Sequence, residues 1–303
     1  MGVSGDRRLW IAAVKPPIYN SVLVPILVGS STAKFDGYAV DVTFSLKLAV
    51  AAILLLTWCN ISNDVFDSMT GVDEDKKESY VKVTGSFWGC LIASKICLIV
   101  SMYMFWSFSS KLDDSRIITQ LIASAVIAYL YQGPPFRLSY KGVGEILTFF
   151  AFGPVGTPVF YYFQAPRSQA TSTLIVCSIL VGITTSMILF GSHFHQVEQD
   201  FKSGKMSPIV RLGTTRGSQV LLASTVMCYL LVFTFSLLGV LPLSSILCTL
   251  VAVPLARSML TLVINHHSEP EKIRPLKMFV AKFHLVFHLC VSASLLTGQV
   301  RAL

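Results

Sequence analysis

Charge is what this sequence has least of. Asp, Glu, Lys and Arg make up 13% of its 303 residues, about half the roughly 25% of an average soluble domain. That deficit excludes the highly charged disordered class. It also fits a soluble globular domain poorly, since 53% of the residues are apolar and the mean hydropathy is +0.65. Paired cysteine motifs are lacking as well. Cys59, Cys90, Cys97, Cys177, Cys228, Cys248 and Cys290 stand singly in apolar stretches, which indicates neither a disulfide framework nor a zinc site. The net charge is +8, yet no block of Lys and Arg with interleaved aromatics occurs, so nucleic acid is not an expected partner. The N-terminal MGVSGDRRLWIAAVKPPIYN carries neither a Ser/Arg-rich transit segment nor a signal cleavage site. Targeting is therefore expected to be internal, or to lie in a presequence outside this chain.

What is present is a series of nine long apolar runs nearly free of charge, at about 16–33, 43–62, 87–108, 116–133, 144–163, 172–193, 218–238, 240–263 and 279–299. Each is long enough to cross a bilayer as a helix, and in lipid each must be helical because unpaired backbone groups are too costly there. The expectation is an all-α, polytopic membrane bundle of about nine transmembrane helices, forming a single domain over 1–303. Nine crossings put the N-terminus and the connectors at roughly 63–86, 134–143, 194–217 and 264–278 on one face. That face collects most of the basic residues, among them Arg7, Arg8, Lys15, Arg137, Lys141, Lys205 and Arg211. By the positive-inside bias it is expected to face the cytosol or stroma.

Two acidic segments mark the same face. In the first, Asn60, Asp64 and Asp67 follow at intervals of four and three, so on a helix they share one face. Carboxylates held that close repel unless a cation lies between them, and an oxygen-only ligand set suits Mg²⁺ with phosphate oxygens. The alternative for the following Asp73, Glu74, Asp75 and Glu78 is a solvated acidic loop. In the second segment, Gln196 and Asp200 are four apart and precede Lys202, Lys205 and Arg211, cations fit to neutralise phosphate. His193 and His195, two apart, do not share a helical face, which argues against a two-histidine metal site. Lys205 lacks the GxxxxGK[ST] spacing of a P-loop. His284 and His288, four apart in the last run, read as partners in interhelical hydrogen bonds rather than haem ligands. Glu145 reads as a helix cap or as a group that orients Arg137, and Lys95 is left unassigned.

The first segment resembles the NDxxD motif of the UbiA superfamily of intramembrane prenyltransferases, and the second occupies the place of that family's second aspartate motif. Lys15-Pro16-Pro17, the stretch from Tyr131 through Arg137, Tyr140 and Lys141 to Glu145, and GKMSPIVRLG at 204–213 resemble its menaquinone/phylloquinone, MenA-like branch. HFHQVEQD at 193–200 is similar to the plant and cyanobacterial phytyltransferases of that branch. The resemblance covers nearly the whole chain. It implies a bundle around a central cavity open to lipid, where Mg²⁺ holds a prenyl diphosphate between the acidic motifs.

Carried over by position, Asp64, Asp67 and Asp200 would be catalytic and metal-binding, joined by Gln196 and more weakly by Asn60 and Asp73. Asn60, Lys15, Arg137, Lys141 and Lys205 would hold diphosphate. The chain departs from the pattern at Gln196, where Asp is usual, at His195, where Arg is common, and at Gly71, where the first motif has a third acid. The Lys expected after Tyr131 is also missing, which leaves Arg137 or Lys141 to serve.

The activity implied is transfer of a phytyl chain from its diphosphate to dihydroxynaphthoate or carboxynaphthoquinone, with loss of the carboxyl group, in phylloquinone synthesis. The location implied is a chloroplast membrane, with the active-site loops facing the stroma. The alternatives are a homogentisate or chlorophyllide acceptor or, from another class, a cation-coupled secondary transporter. A transporter's acids are expected at mid-span in broken helices rather than at helix ends on one face.

Overall fold

A computed structural model describes residues 7–70 and 79–298. Asp73, like Gly71, Glu74, Asp75 and Glu78, lies outside the described residues. The elements run α1 Arg7–Val14, α2 Asn20–Phe35, α3 Val42–Ser68, α4 Tyr80–Thr84, α5 Phe87–Ser109, α6 Ser115–Gln132, α7 Gly144–Phe152, α8 Gly156–Gln164, α9 Ser172–His193, α10 Val197–Lys202, α11 Pro208–Leu212, α12 Thr214–Leu237, α13 Ser244–Thr249, α14 Val253–His266, α15 Pro270–Ile273 and α16 Leu276–Thr297. Among the described residues there is no strand.

Every one of the nine apolar runs is helical. Eight are long and apolar enough to cross a membrane by length and composition. The ninth, α6, is an 18-residue helix that closes the alternation between the two ends of the bundle. Three runs are not single α-helices. Residues 16–33 open with a 3₁₀ turn at Pro16–Tyr19 before α2. Residues 144–163 break between α7 and α8, and 240–263 divides into α13, a 3₁₀ turn at Leu250–Ala252, and α14.

Local chemistry sets the starts of these helices. Asp41, Ser86, Asp114 and Thr171 each precede a long helix and accept a backbone N–H from its first turn, satisfying donors that no helical carbonyl reaches. Asp114 also takes both Nε and Nη2 of Arg116, at 2.8 and 2.6 Å, and the N–H of Arg167. Arg116 in turn reaches the carbonyl of Ser168 and stacks 4.0 Å from the centre of the Tyr162 ring.

Burial distinguishes central from peripheral helices. In α9, 67% of the membrane window is buried, against 17% in α5. One core gathers around α2, α9, α12, α14 and α16, with Val28, Leu180, Phe283 and Phe287 fully enclosed. A second gathers around α2, α3, α5, α6 and α8, with Leu48, Phe105, Ile117 and Tyr161 at its centre. The outer face of α5 presents Ile92, Ile96 and Ile99, with Trp88 and Trp106 exposed towards its two ends. An aliphatic belt bounded by aromatics is the pattern of a lipid-facing surface.

Two close approaches need glycine. A Cβ on Gly29 would come within 2.9 Å of the Thr157 carbonyl of α8, and one on Gly153 within 2.6 Å of the Ser178 carbonyl of α9. Inside the core, the hydroxyl of Thr184 on α9 lies 2.8 Å from both His284 Nδ1 and His288 Nε2 of α16. This is the interhelical bonding expected of that histidine pair. Lys95 is exposed on α5.

Candidate active site

Helix α3 has 27 residues, about 40 Å at 1.5 Å per residue, longer than the roughly 30 Å hydrocarbon core. Its last turns therefore reach the membrane boundary as helix, and they carry Asn60, Asp64 and Asp67 on one face. Asp64 is fully buried. Its Oδ1 takes the ammonium of Lys15 at 3.1 Å, and its Oδ2 takes the backbone N–H of Tyr80 at 2.9 Å. Lys15 Nζ also donates to Asn60 Oδ1 at 2.8 Å, while Asn60 Nδ2 reaches the carbonyls of Ala13 and Val14. The N-terminal segment is thus bound to the first acidic motif. Lys15 achieves this with left-handed backbone, φ 52° and ψ 58°. The prolines that follow it disfavour the right-handed helical alternative.

Asp67 turns to a different partner. Its Oδ1 accepts from Tyr140 OH at 2.8 Å, and the same phenol lies 2.8 Å from Thr70 Oγ1. Tyr140 belongs to a 3₁₀ turn at Leu138–Lys141. Burial, and after it the charge of Asp67, raise the Tyr140 hydroxyl well above the ordinary tyrosine range, so it stays a donor at working pH. The carbonyl of Tyr140 accepts from Met206 N at 2.8 Å, and Arg211 Nη2 donates to the carbonyl of Lys141. This one turn therefore ties the first acidic motif to the loop that follows the second.

In that second segment Asp200 is buried. Lys205 Nζ lies 3.3 Å from its Oδ1, and its Oδ2 is buried with no hydrogen-bond partner among the described residues. Gln196 immediately precedes α10, and its carbonyl accepts the Asp200 N–H at 2.7 Å. The Tyr140 turn, bonded to Asp67 on one side and to Met206 on the other, brings the two acidic segments to the same end of the bundle. Arg137 is held in left-handed backbone at φ 40°, with Nε buried and without a partner among the described residues.

The structure thus brings together Lys15, Asn60 and Asp64; Asp67 with Tyr140; and Asp200 with Lys205 and Gln196, all at one end of the bundle. Arg137 and Lys141 flank them in the bridging turn, Lys141 with an exposed side chain and a bonded carbonyl. Among the described residues, no three of His, Cys, Asp and Glu converge closely enough to hold an ion by themselves. Glu145 does not orient Arg137. Its Oε1 lies 3.0 Å from His193 Nδ1, joining the start of α7 to the end of α9. Sequence reasoning missed that pair, along with Tyr140 and the Tyr80 N–H as partners of the aspartates. Tyr140 falls three residues after Arg137 in a basic, Gly/Pro-rich stretch, the one signal that could have marked it.

A crevice of about 900 Å³ opens beside this end, lined by Thr70, His195, Gln199, Thr214 and His267 among others.

Residues 22–283 match the UbiA prenyltransferase family. The chain is 39% identical to the 2-carboxy-1,4-naphthoquinone phytyltransferase of Synechocystis sp., over 95% of this chain and 92% of that protein. It is 38% identical to the chloroplastic 2-carboxy-1,4-naphthoquinone phytyltransferase of Arabidopsis thaliana, over 98% of this chain and 78% of that protein. Its fold is similar to that of a UbiA homologue from Archaeoglobus fulgidus bound to GPP and Mg²⁺, with a TM-score of 0.59 and 14% identity over 94% of this chain and 99% of the other. The chain belongs to the UbiA prenyltransferase family.

Proposed function

We propose that this multi-pass membrane protein transfers a phytyl chain from phytyl diphosphate to 2-carboxy-1,4-naphthoquinone, releasing diphosphate and CO₂, in phylloquinone synthesis. The likeness to two phytyltransferases over nearly the full chain supports the substrates. The observation that carries the reading is the convergence of both acidic motifs and Lys15 on one end of the bundle, joined through Tyr140. A cation-coupled transporter is not favoured, because the acids end helices on one face, while the broken span α7–α8 carries no acid at its break.

The residues fit a divalent cation, proposed to be Mg²⁺. The donors of Asn60, Asp64, Asp67, Asp200 and Gln196 include hard oxygens, and Asp200 Oδ2 is buried and unbonded. An ionised carboxylate has about four lone-pair sites, so Asp64 retains acceptor capacity beside Lys15 and Tyr80. With too few protein ligands to close a shell, the remaining positions are left for diphosphate oxygens, as Mg²⁺ prefers. When bound, the ion supplies charge that stabilises the leaving diphosphate.

The chain's own residues account for the rest. Lys15, Lys205 and Arg137 hold the diphosphate and offset its growing charge as the allylic C–O bond breaks and the electron pair leaves with oxygen. The apolar bundle keeps water from the allylic cation. The electron pair of the acceptor's ring–carboxylate bond becomes the new ring–phytyl bond as CO₂ departs, so no oxidant or reductant is consumed. Tyr140 fixes Asp67, and Lys15 fixes Asp64, so that the ligand oxygens are oriented before substrate arrives. A plastid membrane, with this end facing the stroma, is the proposed location.

The test is a membrane assay with phytyl diphosphate and Mg²⁺, offering carboxynaphthoquinone or dihydroxynaphthoate against homogentisate and chlorophyllide. Prenylated naphthoquinone with CO₂ release, lost on chelation, is the expected result. Product from homogentisate or chlorophyllide alone overturns the acceptor. Full activity in Asp64→Ala or Asp67→Ala overturns the metal assignment.

A further inference from the structure

Away from the acid cluster, α14 presents polar side chains where a membrane helix ordinarily presents hydrocarbon. Arg257, Thr261 and Asn265 recur every four residues, and Ser258 and His266 run alongside them on the same face. With Leu262 and with Phe279 of α16 they line a groove of about 450 Å³. Arg257, Ser258, Thr261 and Asn265 are exposed within the span Ser244–His266. Arg257 lies nine residues inside the His266 end, roughly 14 Å along the helix axis.

Among the described residues nothing hydrogen-bonds or ion-pairs with the side chain of Arg257 or Asn265. No acid lines the groove. Glu269, next to His266, is engaged by His266 at 2.8 Å and by Lys272 at 2.6 Å. A second cation stands close by, with Lys282 Nζ 6.0 Å from the centre of the Phe279 ring. A guanidinium facing lipid without a counter-ion is costly, and such residues mark binding sites.

We propose that this groove binds the headgroup of an anionic glycerolipid. Arg257 takes the phosphate through its planar fork, and Lys282 supplies the second positive charge. Ser258, Thr261 and Asn265 hydrogen-bond the glycerol and ester oxygens. Basic pockets between membrane helices recognise headgroups in this way. The occupant is a lipid rather than a free anion because the groove lies along a helix of membrane-spanning length, Ser244–His266. Exposed Leu250, Val253 and Ile264 on its own span, with Met278 and Leu289 on α16, give the acyl chains an apolar path. The site shares no residue with the acid cluster and does not rest on the reading of the reaction.

The test is native mass spectrometry and thermal melting of the purified full chain in mild detergent, with phosphatidylglycerol, phosphatidylcholine or inorganic phosphate added. The wild type is expected to retain phosphatidylglycerol in preference to phosphatidylcholine and to melt higher with it. Inorganic phosphate is expected to give no shift. R257Q/K282Q should lose retention by roughly tenfold, as for deletion of a charged hydrogen bond, with prenyl transfer in detergent unchanged. If that double variant does not assemble, T261V/N265L is read the same way. Equal retention by the variant overturns the proposal, as does a phosphate-induced shift equal to the lipid's. A change in oligomeric state in R257Q/K282Q without loss of lipid overturns it in favour of a second copy of the chain.

Discussion

At the scale of single residues, the proposed chemistry turns on carboxylates that are already occupied. Asp64 has no exposed surface and is held by Lys15 and the Tyr80 N–H. Lys15→Met removes the counter-ion from a buried charge and is expected to cost about 3–5 kcal/mol of stability. The double variant K15M/D64N neutralises both partners and should recover most of that loss, yet remain inactive. Melting curves and transfer assays on the same samples separate the two effects, and an active double variant would refute the role given to the pair. Tyr140→Phe removes a single hydroxyl, the one that holds Asp67 at 2.8 Å. Groups that orient a ligand in this way are typically worth roughly 10- to 100-fold in activity. A drop of that order in kcat/KM, expressed mainly through KM for the prenyl diphosphate, is expected. Unchanged kinetics would mean that Asp67 does not depend on Tyr140 for its orientation. The face shared by Asn60, Asp64 and Asp67 was legible from intervals of four and three. The identity of their partners was not, because Tyr140 is 73 residues from Asp67 and hydrophobic periodicity carries no information on how one helix is rotated against another.

At the scale of elements, hydropathy located every apolar run but not how each behaves inside the bundle. Residues 144–163 read as one span, yet α7 ends at Phe152 and α8 starts at Gly156. The break lies where Gly153 meets the Ser178 carbonyl and Gly182 of α9, so it depends on a neighbour that sequence does not place. The contact between the α5–α6 and α8–α9 connections is likewise tertiary, built on Asp114, Arg116, the Arg167 N–H and the Ser168 carbonyl. Its titration is predictable. The Arg116 side chain first, and the backbone N–H groups of Arg167 and Arg116 next, lower the Asp114 carboxyl to about 2. A carboxyl depressed on folding stabilises the native state above its unfolded value, near 3.9, and loses that contribution as pH falls through the folded value. The shift corresponds to something on the order of 2 kcal/mol. Asp114→Asn should therefore melt below the wild type at pH 7, with the gap closing between about pH 4 and pH 2. A gap that is independent of pH would show that the contact works without the charge.

At the scale of the whole molecule, side-chain and backbone bonds sort the connections into two sets. At one end, Thr70 and Asp67 meet Tyr140, Tyr140 meets Met206, and Thr214 meets His267. At the other, Asp36 meets Tyr161 and Thr171, Arg116 meets Ser168, and Thr173 meets Val240. These sets agree with the alternation expected of nine crossings, and α6 is required for it. If α6 lay along the surface, the α5–α6 connection and the Tyr140 turn would fall at the same end. The proposed orientation rests on the positive-inside bias, since the acid-bearing end also carries most of the Lys and Arg. Cysteines placed singly at exposed Ser110, Arg167, Lys202 and Ser268 test both statements with a membrane-impermeant maleimide on sealed vesicles. Of the seven native thiols, Cys90, Cys177 and Cys228 are buried, and the half-buried Cys59, Cys97, Cys248 and Cys290 lie within membrane-spanning lengths of helix, out of reach of an impermeant reagent that needs the aqueous thiolate. S110C and R167C are expected to label from the outer side, and K202C and S268C only after the vesicles are opened. Labelling of S110C and S268C from the same side would remove α6 from the membrane, and a uniform reversal would keep the nine crossings while inverting the chain.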